Sequence, residues 1–219
     1  MPNLNVESYY KKTSATTVGE VVYATEVRMY DYFKRVFDII FSLIGLIIAF
    51  PIMVIFSILI VLETPGSPIY CQERVGKNGK HFKIYKLRSM YKDAEANGAQ
   101  WAEKDDPRVT KMGRFIRRTR IDELPQLFNV LKGDMSIVGP RPERPIFTYK
   151  FNEEIPGFIN RLKVKPGITG WAQVNGGYEL TPAEKLQYDL YYIENRSLWL
   201  DIKIILKTVK IILTGEGAW

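Results

Sequence analysis

The sequence predicts an α-rich α+β protein: a re-entrant membrane helix hairpin, then a small domain on the cytosolic face with amphipathic interfacial helices and a short β-hairpin. Three observations carry that expectation. Residues 39–62 form an uncharged, almost wholly apolar run, long enough as a helix to cross a hydrocarbon core of about 30 Å. Basic residues flank this run on both sides. The rest of the chain alternates helical periodicity with stiff turns rich in proline and glycine.

A chain of 219 residues suits one compact body plus an attached segment. Three parts are expected: a polar N-terminal extension over 1–30, a membrane helix over 31–64, and a cytosolic-face domain over 65–219. The extension is rich in Ser, Thr and Tyr and shows no period, so it reads as loosely ordered. The apolar run starts too far from Met1, and lacks a small-residue cleavage site, to be a secretory signal. Pro51 lies near its middle, where it removes a backbone hydrogen bond and favours a kink or break. A proline-kinked spanning helix would also accommodate it. The flanks decide between the two: Arg28, Lys34 and Arg35 precede the run, and Arg74, Lys77, Lys80, Lys83, Lys86 and Arg88 follow it. A helix that enters and leaves through one leaflet keeps both basic flanks in the cytoplasm.

After a turn at 64–68, short strands are expected at 69–71 and 82–85 around a glycine-bounded turn at 76–79. A weak helical pattern over 91–101 is broken by Asp-Asp-Pro at 105–107, and Met112, Phe115 and Ile116 mark another helix. Leu124, Leu127, Phe128 and Leu131 recur at helical spacing, with Asp122 as the expected cap, Pro125 in the first turn and Gly133 just past the end. Thr-Pro-Ala-Glu (181–184) has the form of a capping box and starts a helix reaching about residue 195. Residues 199–213 are amphipathic, with Lys203, Lys207 and Lys210 on one face. Such a helix either covers the core or lies on a membrane.

The net charge of +7 asks for an anionic partner: nucleic acid, acidic lipid or a phosphorylated substrate. The apolar run argues against nucleic acid. One cysteine, Cys71, and one histidine, His81, leave no basis for an internal disulfide, a zinc site or a haem site, so any metal must be oxygen-ligated.

Asp122 and Glu123 stand at a helix start, where free N–H groups and the macrodipole favour negative charge; capping alone would explain such a pair. Arg108, Lys111, Arg114, Arg117, Arg118 and Arg120 precede them, and carboxylates among guanidiniums at a helix start are the equipment of phosphate chemistry. These cations are expected to hold Asp122 ionised, as a nucleophile or a Mg²⁺ ligand requires. A solvated basic face accounts for the outer arginines, and Arg117 is taken as the substrate-binding candidate among them. The turn Gly-Pro-Arg-Pro (139–142) projects Arg141 from rigid backbone, and Gln173 and Asn175 can hydrogen-bond a nucleotide or sugar.

The series Lys-Ile-Tyr-Lys-Leu-Arg-Ser-Met (83–90), Asp-Glu-Leu-Pro-Gln-Leu (122–127), Asn-Val-Leu-Lys-Gly-Asp-Met-Ser (129–136), Val-Gly-Pro-Arg-Pro (138–142) and Lys-Pro-Gly-Ile-Thr-Gly-Trp-Ala-Gln-Val-Asn-Gly (165–176) resembles the bacterial sugar transferases, the monotopic polyprenyl-phosphate phosphoglycosyl transferases. The resemblance covers about residues 34–213. It implies a membrane helix broken near Pro51, although the Ser-Pro pair common in that family is Phe50-Pro51 here. It implies a catalytic dyad of Asp122 and Glu123, phosphate or nucleotide contacts from Arg117 and Arg141, and Mg²⁺ with Asp122 as a ligand; Lys86 and Arg88 in the first motif and Gln173 and Asn175 in the last are the further substrate-binding candidates. The implied reaction moves a sugar-1-phosphate from a UDP-sugar to polyprenyl (undecaprenyl) phosphate through a phosphosugar on Asp122, releasing UMP. That step would begin exopolysaccharide, capsule or glycoconjugate synthesis at the cytoplasmic face of the bacterial inner membrane. Partners are then the two substrates and bacterial membrane lipids, without nucleic acid; a homodimer is compatible. The competing reading from another class is a noncatalytic basic scaffold on the membrane surface, binding anionic lipid or a partner protein.

Overall fold

The computed structural model describes residues 29–96, 98 and 106–214. The expected polar extension lies outside them as far as residue 28, and so does the Trp101 end of the weakly helical stretch.

Helix α1, Met29–Glu63, runs for 35 residues, or about 52 Å at the usual rise per residue. It is long and apolar enough to cross a membrane. Helical conformation continues through Pro51, so the expected break does not interrupt the element. A proline forfeits only one bond of the ladder, and α1 is held against the body on both sides of it. Asp38, Ser42, Ala49, Met53 and Ile60 form a buried stripe, while Ile47, Ile48 and Leu62 on other faces are exposed. Ala49 and Met53 share one core with Phe82, Ile84, Leu127, Val130, Ile137, Tyr192, Ile193 and Ile204. One stripe of the apolar segment is thus part of the body's own interior, and most of its other apolar side chains are exposed.

Polar bonds fix its two ends. Near the start, Lys34 Nζ and the Tyr30 hydroxyl both meet Asp201 Oδ2 at 2.7 Å, and Arg35 donates to the carbonyls of Val130 and Leu131 at 2.7 and 2.8 Å. Asp38 Oδ1 accepts from Ser136 Oγ and Ile137 N, both at 3.0 Å. At the far end, Glu63 accepts the N–H groups of Lys111 and Met112, two of the free donors at the start of the next helix.

The β-hairpin is present and longer than expected: β1, Ile69–Val75, pairs antiparallel with β2, His81–Leu87, Val75 facing His81. Residues 92–96 form turns, not the weakly helical stretch the pattern suggested. Helix α2, Lys111–Arg118, is capped by Thr110, whose hydroxyl accepts from Gly113 N. A 3₁₀ turn, Ile121–Glu123, leads to α3, Gln126–Lys132, which ends at Gly133 in the left-handed region at φ 89°. Asp122 therefore lies in the turn before the helix and does not cap it.

Strand β3, Ser136–Val138, pairs in parallel with β4, Gly167–Thr169, a pairing the sequence pattern does not disclose; between them lie α4, Pro145–Glu154, and a 3₁₀ segment, Phe158–Lys163. Helix α5, Pro182–Asn195, has the expected capping box between Thr181 and Glu184. Helix α6, Leu198–Thr214, buries Asp201 and Ile204, yet leaves Trp199, Leu206, Val209 and Leu213 exposed. Its inner face covers the core while its outer face is apolar and open.

Asp201→Ala leaves the Lys34 ammonium without its buried partner and is expected to lower unfolding free energy by about 3 kcal/mol or more. Lys132→Ala, which removes an exposed cation, should stay within about 0.5 kcal/mol. Thermal melting of the detergent-solubilised protein compares the two.

Candidate active site

The acidic pair sits where four elements meet. Arg120, the residue before its turn, has a left-handed backbone at φ 59°, an uncommon conformation for a residue with a side chain. It reverses the chain after α2, its N–H bonding back to the Arg117 carbonyl at 3.1 Å. Its own carbonyl accepts Glu123 N at 3.1 Å, which closes the turn carrying Asp122 and Glu123. Along β2, Phe82, Ile84 and Lys86 point to one side, and α3 is spliced to that strand by the buried Asn129. Asn129 Nδ2 donates to the Lys83 carbonyl at 2.7 Å and its Oδ1 accepts Tyr85 N at 3.1 Å. Lys86 is thereby set beside the pair.

The two carboxylates are treated unequally. Glu123 Oε1 receives Lys86 Nζ at 2.8 Å and Arg141 Nη2 at 2.6 Å. Asp122 has Lys86 no closer than 3.8 Å. Both are buried. Burial pushes the Asp122 carboxyl up to about 6, helped by the Glu123 charge and opposed by Lys86, Arg117 and Arg141. Burial acts on Glu123 in the same sense, but Arg141 and Lys86 outweigh it and hold that carboxyl well below its ordinary range. The sequence suggested that cations hold Asp122 ionised; in the fold Lys86, Arg117 and Arg141 do act to lower its carboxyl, but burial and the Glu123 charge outweigh them.

A cavity of about 930 Å³ opens over the pair. Its walls include Arg108, Arg114, Arg117, Arg118, Arg120 and Arg144. Of the predicted substrate-binding residues, Lys86, Arg117 and Arg141 converge on the pair. Arg117 is oriented by its Nε–H bond to Ser89 Oγ at 2.8 Å. Arg88 and Gln173 also line the cavity, but Arg88 spends its guanidinium on the carbonyls of Thr64 and Pro65, and Gln173 Nε2 donates to the Ile168 carbonyl. Asn175 is not in the wall; it bridges the Trp171 carbonyl and Lys207 Nζ. Pro51 lies exposed on α1, which contributes no residue to the wall. Arg74, Arg161 and Asp189 line the cavity and were not anticipated; buried charges hidden in ordinary helical or strand patterns give no local signal.

Among the described residues, no three His, Cys, Asp or Glu side chains converge. A hard cation here would take one protein carboxylate, Asp122, and complete its shell with phosphate oxygens and water, a common arrangement for Mg²⁺. An arginine-lined space with one captured and one available carboxylate suits nucleophilic attack on a phosphate ester.

Comparison with known proteins gives this geometry its context. The sequence model of the family described as bacterial sugar transferase matches residues 29–215. The UDP-N-acetylgalactosamine-undecaprenyl-phosphate N-acetylgalactosaminephosphotransferase of Aeromonas hydrophila is 50% identical over 193 residues, 87% of this chain and 46% of that protein. A Bacillus subtilis (strain 168) protein, provisionally named an undecaprenyl-phosphate N-acetylgalactosaminyl 1-phosphate transferase, is 64% identical over 152 residues, 69% of this chain and 85% of that one. The UDP-glucose:undecaprenyl-phosphate glucose-1-phosphate transferase of Escherichia coli (strain K12) is 43% identical over 181 residues, 80% of this chain and 39% of that one. The chain thus spans less than half the length of the Aeromonas and Escherichia relatives.

The opposed shifts of the pair predict opposed effects on stability. Asp122 is raised from 3.8 to about 6, so its neutral form favours the fold and that contribution is lost as pH rises through about 6. Asp122→Asn should therefore melt higher than the parent at pH 7 to 8, with the gain shrinking as pH falls toward 4. Glu123 is lowered, so its charge favours the fold above 4.5, and Glu123→Gln should melt lower at pH 7. Melting curves at stepped pH check both signs.

Proposed function

The chain belongs to the bacterial sugar transferase family, and we propose that it transfers a sugar-1-phosphate from a UDP-sugar to polyprenyl (undecaprenyl) phosphate, releasing UMP. The observation that carries this reading is the division of labour in the dyad. Glu123 is neutralised by Lys86 and Arg141, which leaves Asp122 as the carboxylate open to a phosphorus atom in an arginine-lined cavity. Three relatives named for undecaprenyl-phosphate sugar-1-phosphate transfer support it.

In the first step an Asp122 oxygen attacks the sugar-bearing phosphorus of the UDP-sugar. The bond from that phosphorus to the bridging oxygen breaks, and UMP carries the electron pair away. The product is an acyl phosphate joining Asp122 to the sugar phosphate. In the second step a phosphate oxygen of the polyprenyl phosphate attacks the same phosphorus, the Asp122 carboxylate leaves, and a polyprenyl diphosphosugar results. Arg117 and Arg141 bind the phosphate oxygens, and Glu123 holds Lys86 and Arg141 in place beside the attacking oxygen. Mg²⁺, held by Asp122 and the diphosphate, would supply charge neutralisation for the leaving nucleotide.

The setting follows from α1 and α6. With basic residues at both flanks of an apolar helix that also packs on the body at both ends, α1 is proposed to enter the cytoplasmic leaflet of the bacterial inner membrane, bend at Pro51, where the ladder lacks one bond, and return. The exposed apolar face of α6 would lie on the same surface, beside the lipid substrate.

Purified protein given polyprenyl phosphate, Mg²⁺ and a panel of UDP-sugars should release UMP, with UDP-N-acetylhexosamines first in the panel because the two relatives of higher identity here carry that sugar in their names. Asp122→Asn should lower the rate by about 10⁴ or more, as loss of a nucleophile does elsewhere. Mass spectrometry of protein quenched with UDP-sugar alone should find Asp122 carrying the phosphosugar. Release of UDP, or no release from a broad panel, would sink the reading.

A further inference from the structure

The turn Gly-Pro-Arg-Pro that presents Arg141 cannot hold itself, because Pro140 and Pro142 have no N–H to donate. Its carbonyls are gripped from outside, one after another. The Pro140 carbonyl accepts Gly167 N at 2.9 Å, the Arg141 carbonyl accepts Arg161 Nη2 at 2.9 Å, the Pro142 carbonyl accepts Arg74 Nη1 at 3.1 Å, and the Glu143 carbonyl accepts Val75 N at 3.0 Å. Four consecutive carbonyls are thus fixed by donors from β4, the 3₁₀ segment and β1. Two of those donors are guanidiniums, and Arg161 is 4% exposed.

Arg161 is itself aimed. Its Nε and Nη2 donate to Asp189 Oδ2 at 2.9 and 2.7 Å, and Asp189, on α5, is 1% exposed. Glu143 adds a carboxylate at 3.9 Å from Arg161 Nη1. A planar guanidinium serves a carboxylate and a carbonyl together from a fixed fork, which the point charge of a lysine does less well. A buried ion pair is weak as a source of stability and is better suited to fixing a geometry. The geometry it reaches leads straight to the dyad: Asp189 to Arg161, Arg161 to the Arg141 backbone, and the Arg141 guanidinium to Glu123 at 2.6 Å.

We infer that Arg161, oriented by Asp189, is a positioning residue that fixes the Arg141 backbone so that its guanidinium stays on Glu123 and its charge stays at the diphosphate site. The inference rests on the reading of the cavity as a nucleotide-sugar site. Arg161 also borders the cavity, so direct contact with substrate is the rival role.

The two roles separate in a double-mutant cycle. UDP affinity by calorimetry, UMP-release kinetics and melting temperature are measured for the wild type, Arg161→Lys, Asp189→Asn, Arg141→Ala and the Arg141→Ala/Arg161→Lys pair. Arg161→Lys should weaken UDP binding and raise the KM for UDP-sugar by about tenfold, yet change either by less than about twofold once Arg141 is gone. Effects that multiply in the pair would make Arg161 a substrate ligand and overturn the inference. A lowered melting temperature with unchanged KM and UDP affinity would reduce it to a structural residue and overturn it equally. Should Arg161→Lys not fold, Asp189→Asn, which leaves Arg161 in place without its orienting charge, carries the same comparison through its pair with Arg141→Ala. A wild type that binds UDP without releasing UMP would sink the transfer reading alone, and the binding cycle would still decide the relay.

Discussion

Two neighbouring carboxylates cannot both be buried as anions unless positive charge is delivered to them, and much of the architecture is a means of delivery. Lys86 arrives on β2, Arg117 on α2 and Arg141 on a proline-locked turn. None of these lies near the pair in sequence except Arg117. Each approach is set by a separate polar device: the buried Asn129 ties α3 to β2, Ser89 orients Arg117, and the β1 and 3₁₀ arginines grip the turn. The outcome is uneven: Glu123 holds two close cations, while Asp122 has Lys86 no closer than 3.8 Å.

The apolar helix belongs to this arrangement more closely than a tether would. Arg35 satisfies the last carbonyls of α3, Asp38 binds the first residues of β3, and Glu63 caps the helix that carries Arg117. Between these points it lends Ala49 and Met53 to the common core. Its polar ends and a stripe that includes Ala49, Met53 and Ile60 face protein, and most of its larger aliphatic residues face outward. A surface that must avoid water and a surface that must fit a catalytic body thus share one helix.

Local order was readable where one rule dominated. The capping box at Thr181, the left-handed Gly133 and the glycine-bounded hairpin turn all follow from short-range chemistry, and the fold has them. The motif series singled out Asp122 and Glu123 together with Lys86, Arg117 and Arg141, and the fold brings these five side chains to one place. Reading Asp122 as a helix cap failed because α3 begins only at Gln126, with Pro125 at its cap position, after a separate turn. Asn175 looked like Gln173 as a polar residue on a stiff loop, yet the loop turns it toward Trp171 and Lys207. The parallel pairing of β3 with β4, and the buried ion pair of Arg161 with Asp189, join residues about thirty apart, beyond the reach of any periodicity.

The capping of α2 by Glu63 bears on how such chains can be recombined. A membrane segment joined only through its backbone could be exchanged for another of equal length, as anchors of many enzymes can. Here the segment supplies one helix with its first hydrogen-bond acceptor and another with its last donors, so a foreign anchor would arrive without either. Fusions and natural shuffling should therefore carry α1 together with α2 and α3.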